Sequence, residues 1–340
     1  MSQATPHCFN DRKPAFTRRA FLKTTASAGI TAAATSLASQ SIVLAEDAAK
    51  RKVPESETLV AQLYSTLTDE QKRGCAFSFD HPLRQKVDNN WLISKARVGR
   101  HFSQDQQALI RNIFMGLHSP EYAESVIKQV EHDTHGQGIS KCAVALFGEP
   151  GSGKFEFVLT GRHVTRRCDG DSIDGTAFGG PIFYGHAAQG FNEAPDHPGN
   201  IYWYQAKRAN ELFGALDGRQ RQLALRIDPR AERQSETVKL RGEKGDLAGV
   251  PVRELTADQR DLARKVMTDV LAPFREVDRT ESMKLVETNG FDKLHFSYYK
   301  NMDIGSDGVW DVWQIEGPAM LWYFRGSPHV HTWVHIRASA

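Results

Sequence analysis

Four short stretches of this chain share one shape, and their spacing limits what it can fold into. They are "LTDEQ" from Leu67, "FSQDQ" from Phe102, "LDGRQ" from Leu216 and "LTADQ" from Leu255. Each places Thr, Ser or Asp three residues before Gln. With Thr or Ser this is the capping box, in which the hydroxyl takes an orphan backbone N–H at a helix start and Gln reaches back to the cap. Thr68 lies 149 positions before Asp217, and Ser103 lies 153 before Thr256. The chain therefore reads as a tandem duplication, far longer in period than a solenoid repeat.

The segments after the caps repeat as well. Each second cap opens amphipathic stretches, "DQQALIRNIFMGL" then "SPEYAESVIKQVEH" in one half, "DQRDLARKVMTDVLAPFREV" then "RTESMKLVETNGF" in the other. Both halves then turn to apolar–polar alternation and aromatic enrichment, the signature of strands. Setting "GKFEFVLTGRH" beside "GVWDVWQIEGPA" brings Gly161 near Gly317, 156 positions apart. The expected fold is α+β: two copies, 46–180 and 206–340, each a helical segment followed by an antiparallel β-hairpin, the sheet packed on the helices. A Gly/Pro-rich linker over 181–205 joins them.

Within the first hairpin, "LFGEPGSGKFEF" (Leu146–Phe157) nearly matches the phosphate-binding pattern G-x-x-x-x-G-K. That motif needs a helix after the loop and a hydroxyl after the lysine. Here Phe155 follows Lys154, and "KFEFVLTGRHV" has the period of a strand. The stretch is expected to be a hairpin turn, with no nucleotide bound.

The N-terminus carries a different message. "TRRAFLK" puts Arg18 and Arg19 ahead of a weakly apolar Ala/Thr-rich run ending in Val43-Leu44-Ala45. This is the pattern of a twin-arginine export signal over residues 1–45. The partner implied is the twin-arginine export machinery, and the location periplasmic or secreted, with no membrane contact after signal removal. A net charge of +2 argues against nucleic acid as a partner. Cys75, Cys142 and Cys168 remain in the mature chain, an odd number with no C-x-x-C spacing.

Candidate chemistry gathers in histidines. In "GSPHVHTWVHIRASA", His329 and His331 project from one face of a strand. H-x-H on a strand places two imidazoles on one metal ion, with a third ligand from elsewhere. His163, just after Gly161 on the first hairpin, is the expected third ligand; its counterpart in the second copy is Ala319. His335 has the same parity but lies about 13 Å along the strand, so it is expected beside the site or near substrate. His186, in "PIFYGHAAQGFNEAPDHPGN" with Asn192, Glu193, Asp196 and His197, and Glu316, in "QIEGP", are weaker candidates for such a role. No G-x-S-x-G or H-E-x-x-H motif occurs, and no catalytic residue is named.

Together the helix entries, "FSFD-x-P…NNW", the "F-x-F…G-x-H" strand, Pro181–Gly185 as "P-x-F-x-G", the "IEGP" strand and the closing "H-x-H" make the chain resemble the proteins grouped as domain of unknown function 3500, over roughly residues 57–337. That resemblance implies the architecture and no activity. In the family a second histidine often flanks the strand histidine, and Asn-Pro often follows "P-x-F-x-G"; Val164 and Ala187 stand there in this chain. The expectation for function is an exported metal-binding protein, with copper or zinc on His163, His329 and His331. The alternative is a metal-free carbohydrate- or peptide-binding module built on the aromatic hairpin and the Gly/Pro loop.

Overall fold

The structure is a computed structural model that describes residues 56–187, 197, 199–303 and 308–340. The export signal over 1–45 and the loop residues Asn192, Glu193 and Asp196 lie outside the described residues.

All four expected caps form. Thr68, Ser103, Asp217 and Thr256 each cap a helix, with Gln71, Gln106, Gln220 and Gln259 completing the box. The helices so begun are α2 (Asp69–Cys75), α4 (Gln104–Gly116), α7 (Gly218–Ala224) and α8 (Ala257–Leu271). The glutamines also pair with one another. Gln71 and Gln106 exchange amide hydrogen bonds at 2.7 and 3.2 Å, and Gln220 and Gln259 do so at 3.0 and 2.8 Å. Each amide donates further to a backbone carbonyl: His101, Thr66, Glu254 and Ala215 respectively. An amide both donates and accepts, whereas an ionised carboxylate only accepts. Glu would cap a helix equally well but could not close this clasp. The motif therefore fixes two helix starts against each other once per copy.

Preceding helices are α1 (Ser56–Thr66) and α6 (Trp203–Ala215), with the single turn α3 (Val98–His101) before α4. The following helices are α5 (Pro120–Asp133) and α9 (Glu276–Asn289). The strands are β1 (Ala76–Phe77), β2 (Ala143–Gly148), β3 (Phe155–Gly161), β4 (Val164–Cys168) and β5 (Ile182–His186) in the first copy. In the second they are β6 (Leu225–Arg226), β7 (Val250–Pro251), β8 (His295–Tyr299), β9 (Val312–Gly317), β10 (Met320–Arg325) and β11 (Val330–Ile336). All join one sheet in the order β1-β2-β3-β4-β5-β11-β10-β9-β8-β6, with β7 on β8. The order is a palindrome about β5–β11. A parallel strand lies at each end (β1 on β2, β6 on β8), and antiparallel meanders run between. The duplication thus becomes a pseudo-twofold axis through the β5–β11 pair. On the helical side the equivalent loops meet too, with Ser119 N–H donating to Pro273 O and Arg275 N–H to Leu117 O.

Helices cover one face of the sheet with two large apolar cores, one per copy. Two long segments, 78–97 and 227–249, cover the other. They are pinned there through buried glutamates: Arg84 pairs with Glu156 of β3, as does Arg167 of β4, which also donates to Arg84 O and Lys86 O, while Arg230 and Arg241 pair with Glu316 of β9.

Two expectations change in detail. The stretch 181–205 is not all linker, since Ile182–His186 forms β5, the first copy's half of the central pair. The aromatic hairpin is mostly core: Trp313 and Trp322 are fully buried, and Trp310 is half-buried. "LFGEPGSGKFEF" is the β2–β3 hairpin, with Gly148 opposite Phe155. A Cβ on Gly148, at φ +73°, would sit 2.1 Å from the Lys154 carbonyl oxygen, which is why glycine stands there. Cys75, Cys142 and Cys168 are free thiols, buried in the first core and pushed up in pKa by that burial.

Two consequences are measurable. Replacing Gln220 or Gln259 by Ala leaves the partner amide and carbonyls unmatched, and each change should cost about 1–3 kcal/mol. In a double-mutant cycle by chemical denaturation the pair should cost clearly less than the sum; simple additivity would refute the clasp. The second concerns Asp169, which burial, and then the Glu156 carboxylate, raises to about 8. The folded state then holds a proton that the unfolded chain releases near pH 4, so this residue lowers stability as pH climbs from about 4 to about 8. Asp169→Asn should gain stability relative to the parent across that window. A pH-independent difference would show that Asp169 does not titrate there.

Candidate metal centre

The centre lies where six chain segments converge at one end of the β5–β11 pair. His331 stands on β11 opposite Gly185 of β5, and His329 lies two residues earlier on the same face. His163 comes from the tight β3–β4 turn between Gly161 and Val164. It takes a left-handed backbone, φ +55°, a conformation that costs a non-glycine residue about 1–2 kcal/mol. Its N–H donates to Asn89 O at 3.0 Å, which fixes the turn against the covering segment.

These elements bring the three imidazoles together. Their ligand nitrogens all lie within 4.8 Å of one another, and all three residues are buried. The ring centroids of His163, His329 and His331 are 4.8 to 5.1 Å apart. Nε2 of His329 and Nε2 of His331 are 3.0 Å apart, close to the separation of about 3.3 Å between two ligands at 2.0–2.1 Å from one tetrahedral ion. Gly185 makes the approach possible: a Cβ there would sit 3.1 Å from Cδ2 of the His163 ring and 2.2 Å from the Val330 carbonyl oxygen. The glycine of "P-x-F-x-G" is therefore a steric requirement of the cluster.

Carboxylates stand behind two of the rings. Nδ1 of His163 is 2.8 Å from Oδ2 of Asp133, the last residue of α5, and Nδ1 of His331 is 2.6 Å from Oε2 of Glu232. A proton on each Nδ1, donated to its carboxylate, leaves the Nε2 lone pair directed at the centre, the tautomer a metal ligand needs. Burial above all, then Arg325 and the neighbouring histidines, holds His331 well below the usual imidazole range, so it is neutral. Glu232 is pushed up by burial and drawn back by Arg325, which lies 3.3 Å away. Asp133 has no Lys or Arg at ion-pair distance among the described residues; its partners are His163 and Gln129. Its Oδ1 is buried with no hydrogen bond. A buried carboxylate in this state is costly unless positive charge lies close by. A cation on the far nitrogen of His163 would supply it. This group can hold a metal ion.

Of the remaining candidates, His335 and Glu316 lie elsewhere, and His186 lies near enough to Asp133 and His163 to feel their charges. His335 is level with Leu321 and Glu316 across the sheet, four residues along β11 from His331, and its Nδ1 is 2.9 Å from Val238 O. Glu316 is buried in the ion cluster with Arg230 and Arg241, with Gln314 Nε2 donating to it at 3.0 Å. His186 pairs with Val330 on β5, so alternation turns its side chain to the face opposite Gly185. Burial lowers its pKa to about 4, opposed by Asp133. His197 accepts from the Gly199 N–H.

Asp133 and Glu232 were not singled out in the sequence, and Asn89 and Gly185 stood there only within the "NNW" and "P-x-F-x-G" stretches. Asp133 left one trace: with Val126, Gln129 and Val130 it falls on the buried stripe of its helix, where a carboxylate is out of pattern. Glu232, in "DPRAERQ", carries no such mark.

No curated protein and no solved structure matches this chain. A family model described as "Protein of unknown function (DUF3500)" does match, over residues 49–338. The match spans both copies and every residue of the centre, and the chain belongs to that family.

Proposed function

We propose that this is an exported metalloprotein whose His163, His329 and His331 hold one zinc or copper ion. The observation that carries the reading is the convergence of three buried imidazoles, two of them backed by carboxylates. Three neutral nitrogen donors with no thiolate suit zinc or copper, whereas magnesium and calcium seek oxygen. Carboxylate–histidine–metal triads are the usual means of orienting such ligands. The twin-arginine pattern at Arg18–Arg19 supports export in the folded state, a route suited to cargo that acquires its metal before translocation. Three protein ligands leave a fourth position open, where the ion would polarise a small ligand or acidify bound water.

Within that site the chain's own groups have separate tasks. Asp133 and Glu232 fix ring orientation and tautomer, Gly185 admits the His163 ring beside His331, and Arg325 balances the Glu232 charge.

Elemental analysis of untagged protein should find one equivalent of zinc or copper. His331→Ala should abolish it, and Asp133→Asn or Glu232→Gln should weaken binding about 10–100-fold. Stripping the ion with a chelator should lower the thermal midpoint by several degrees, as expected for a ligand held at about 1,000 times its Kd, worth ~4 kcal/mol. Protein free of stoichiometric metal, with His331→Ala unchanged in stability, would refute the proposal.

A further inference from the structure

The metal centre is buried, and a groove of about 450 Å³ lies between the two segments that cover its face of the sheet. The walls of this groove continue the segments that hold the histidines. One wall contains Asp88 and Trp91, flanking Asn89, whose carbonyl accepts from His163 N–H. The other begins at Arg233, next to Glu232, the partner of His331. Asn89 and Glu232 touch across the gap, with Nδ2 3.5 Å from Oε2. Oε1 of the same Glu232 is buried without a partner. The larger cleft, about 670 Å³, lies far along the sheet at the β9–β10 turn, where Ala319 replaces histidine.

The lining of the groove selects a ligand class. Trp91 is half-buried, with its ring fixed by a 3.0 Å hydrogen bond from Nε1 to Thr165 Oγ1. Beside it Leu92 is 39% exposed, one of few large apolar side chains left so open among the described residues. Lys86 and Arg233 are balanced by Asp88 and Glu236, so the groove favours neither an anion nor a cation. Gln234, in the same wall, is held at φ +51°, a backbone strain typical of ligand-contacting loops. A rigid aromatic face set among donors and acceptors of both signs suits a neutral ligand with apolar faces and many hydroxyls. The volume is that of a small-molecule site.

We infer that this groove binds a short neutral oligosaccharide and presents it to the histidine centre. The inference rests on the metal reading for what becomes of the sugar, and not for its binding. Chelator-treated and metal-loaded protein are therefore both titrated, by calorimetry and tryptophan fluorescence, with neutral gluco-, xylo- and N-acetylglucosamine oligosaccharides of two to four units. Each sample is assayed for metal. At least one series should bind in both forms, and Trp91→Ala should weaken it at least tenfold. Leu92→Lys, which places a charge at an already exposed position and should fold normally, should do the same without changing metal content. If no series binds to stoichiometrically loaded protein, if Leu92→Lys binds like the parent, or if only charged sugars or peptides bind, the inference fails while the metal reading stands. Sugar binding by a protein that takes up no metal would support the groove and refute the metal centre.

Discussion

One strand pair carries the structure: β5 against β11, the only place among the described residues where the sheets of the two copies join. If this antiparallel pair is broken, each half keeps its helices and meander but loses the neighbour that completes the sheet. The same pair sets the register that puts His331 opposite Gly185. The His163 turn reaches over that glycine, so joining the copies and assembling the histidines are one geometric event.

Duplication explains why the scaffold is symmetric and the centre is not. Capping boxes, glutamine clasps, meanders and parallel edge strands recur in both copies because each must solve the same packing problem. The histidines occupy only one end of the β5–β11 pair. At the other, the β9–β10 turn carries Pro318 and Ala319 and borders an open cleft. A scaffold held by repeated backbone contacts tolerates divergence at its turns, and turns are where function is most readily placed.

The legible parts of the chain were those set by local rules. Glutamine at the third position of a helix, alternation in a strand and the parity of H-x-H all follow from short-range geometry. They were enough to propose the repeat and the three histidines. What escaped depends on contacts made late. Glu232 reaches His331 from 99 positions away, out of a charged loop that shows no periodicity. Strand β5 was hidden because Pro181 and Gly185 read as loop residues, although Gly185 is required by the close approach of the His163 ring. Glu316, in "QIEGP", was read as a weak candidate for a place beside the site. The reason for it proved to be Arg230 and Arg241, which fasten a covering segment.

The central claim is that His163, His329 and His331 together ligate one ion. X-ray absorption at the metal edge of untagged protein tests it most directly. The expected shell is three imidazole nitrogens at about 2.0–2.1 Å with at most one or two further light atoms, reduced by one imidazole in His163→Ala. A spectrum with sulfur ligands, an all-oxygen shell, or an unchanged shell in that variant would contradict it.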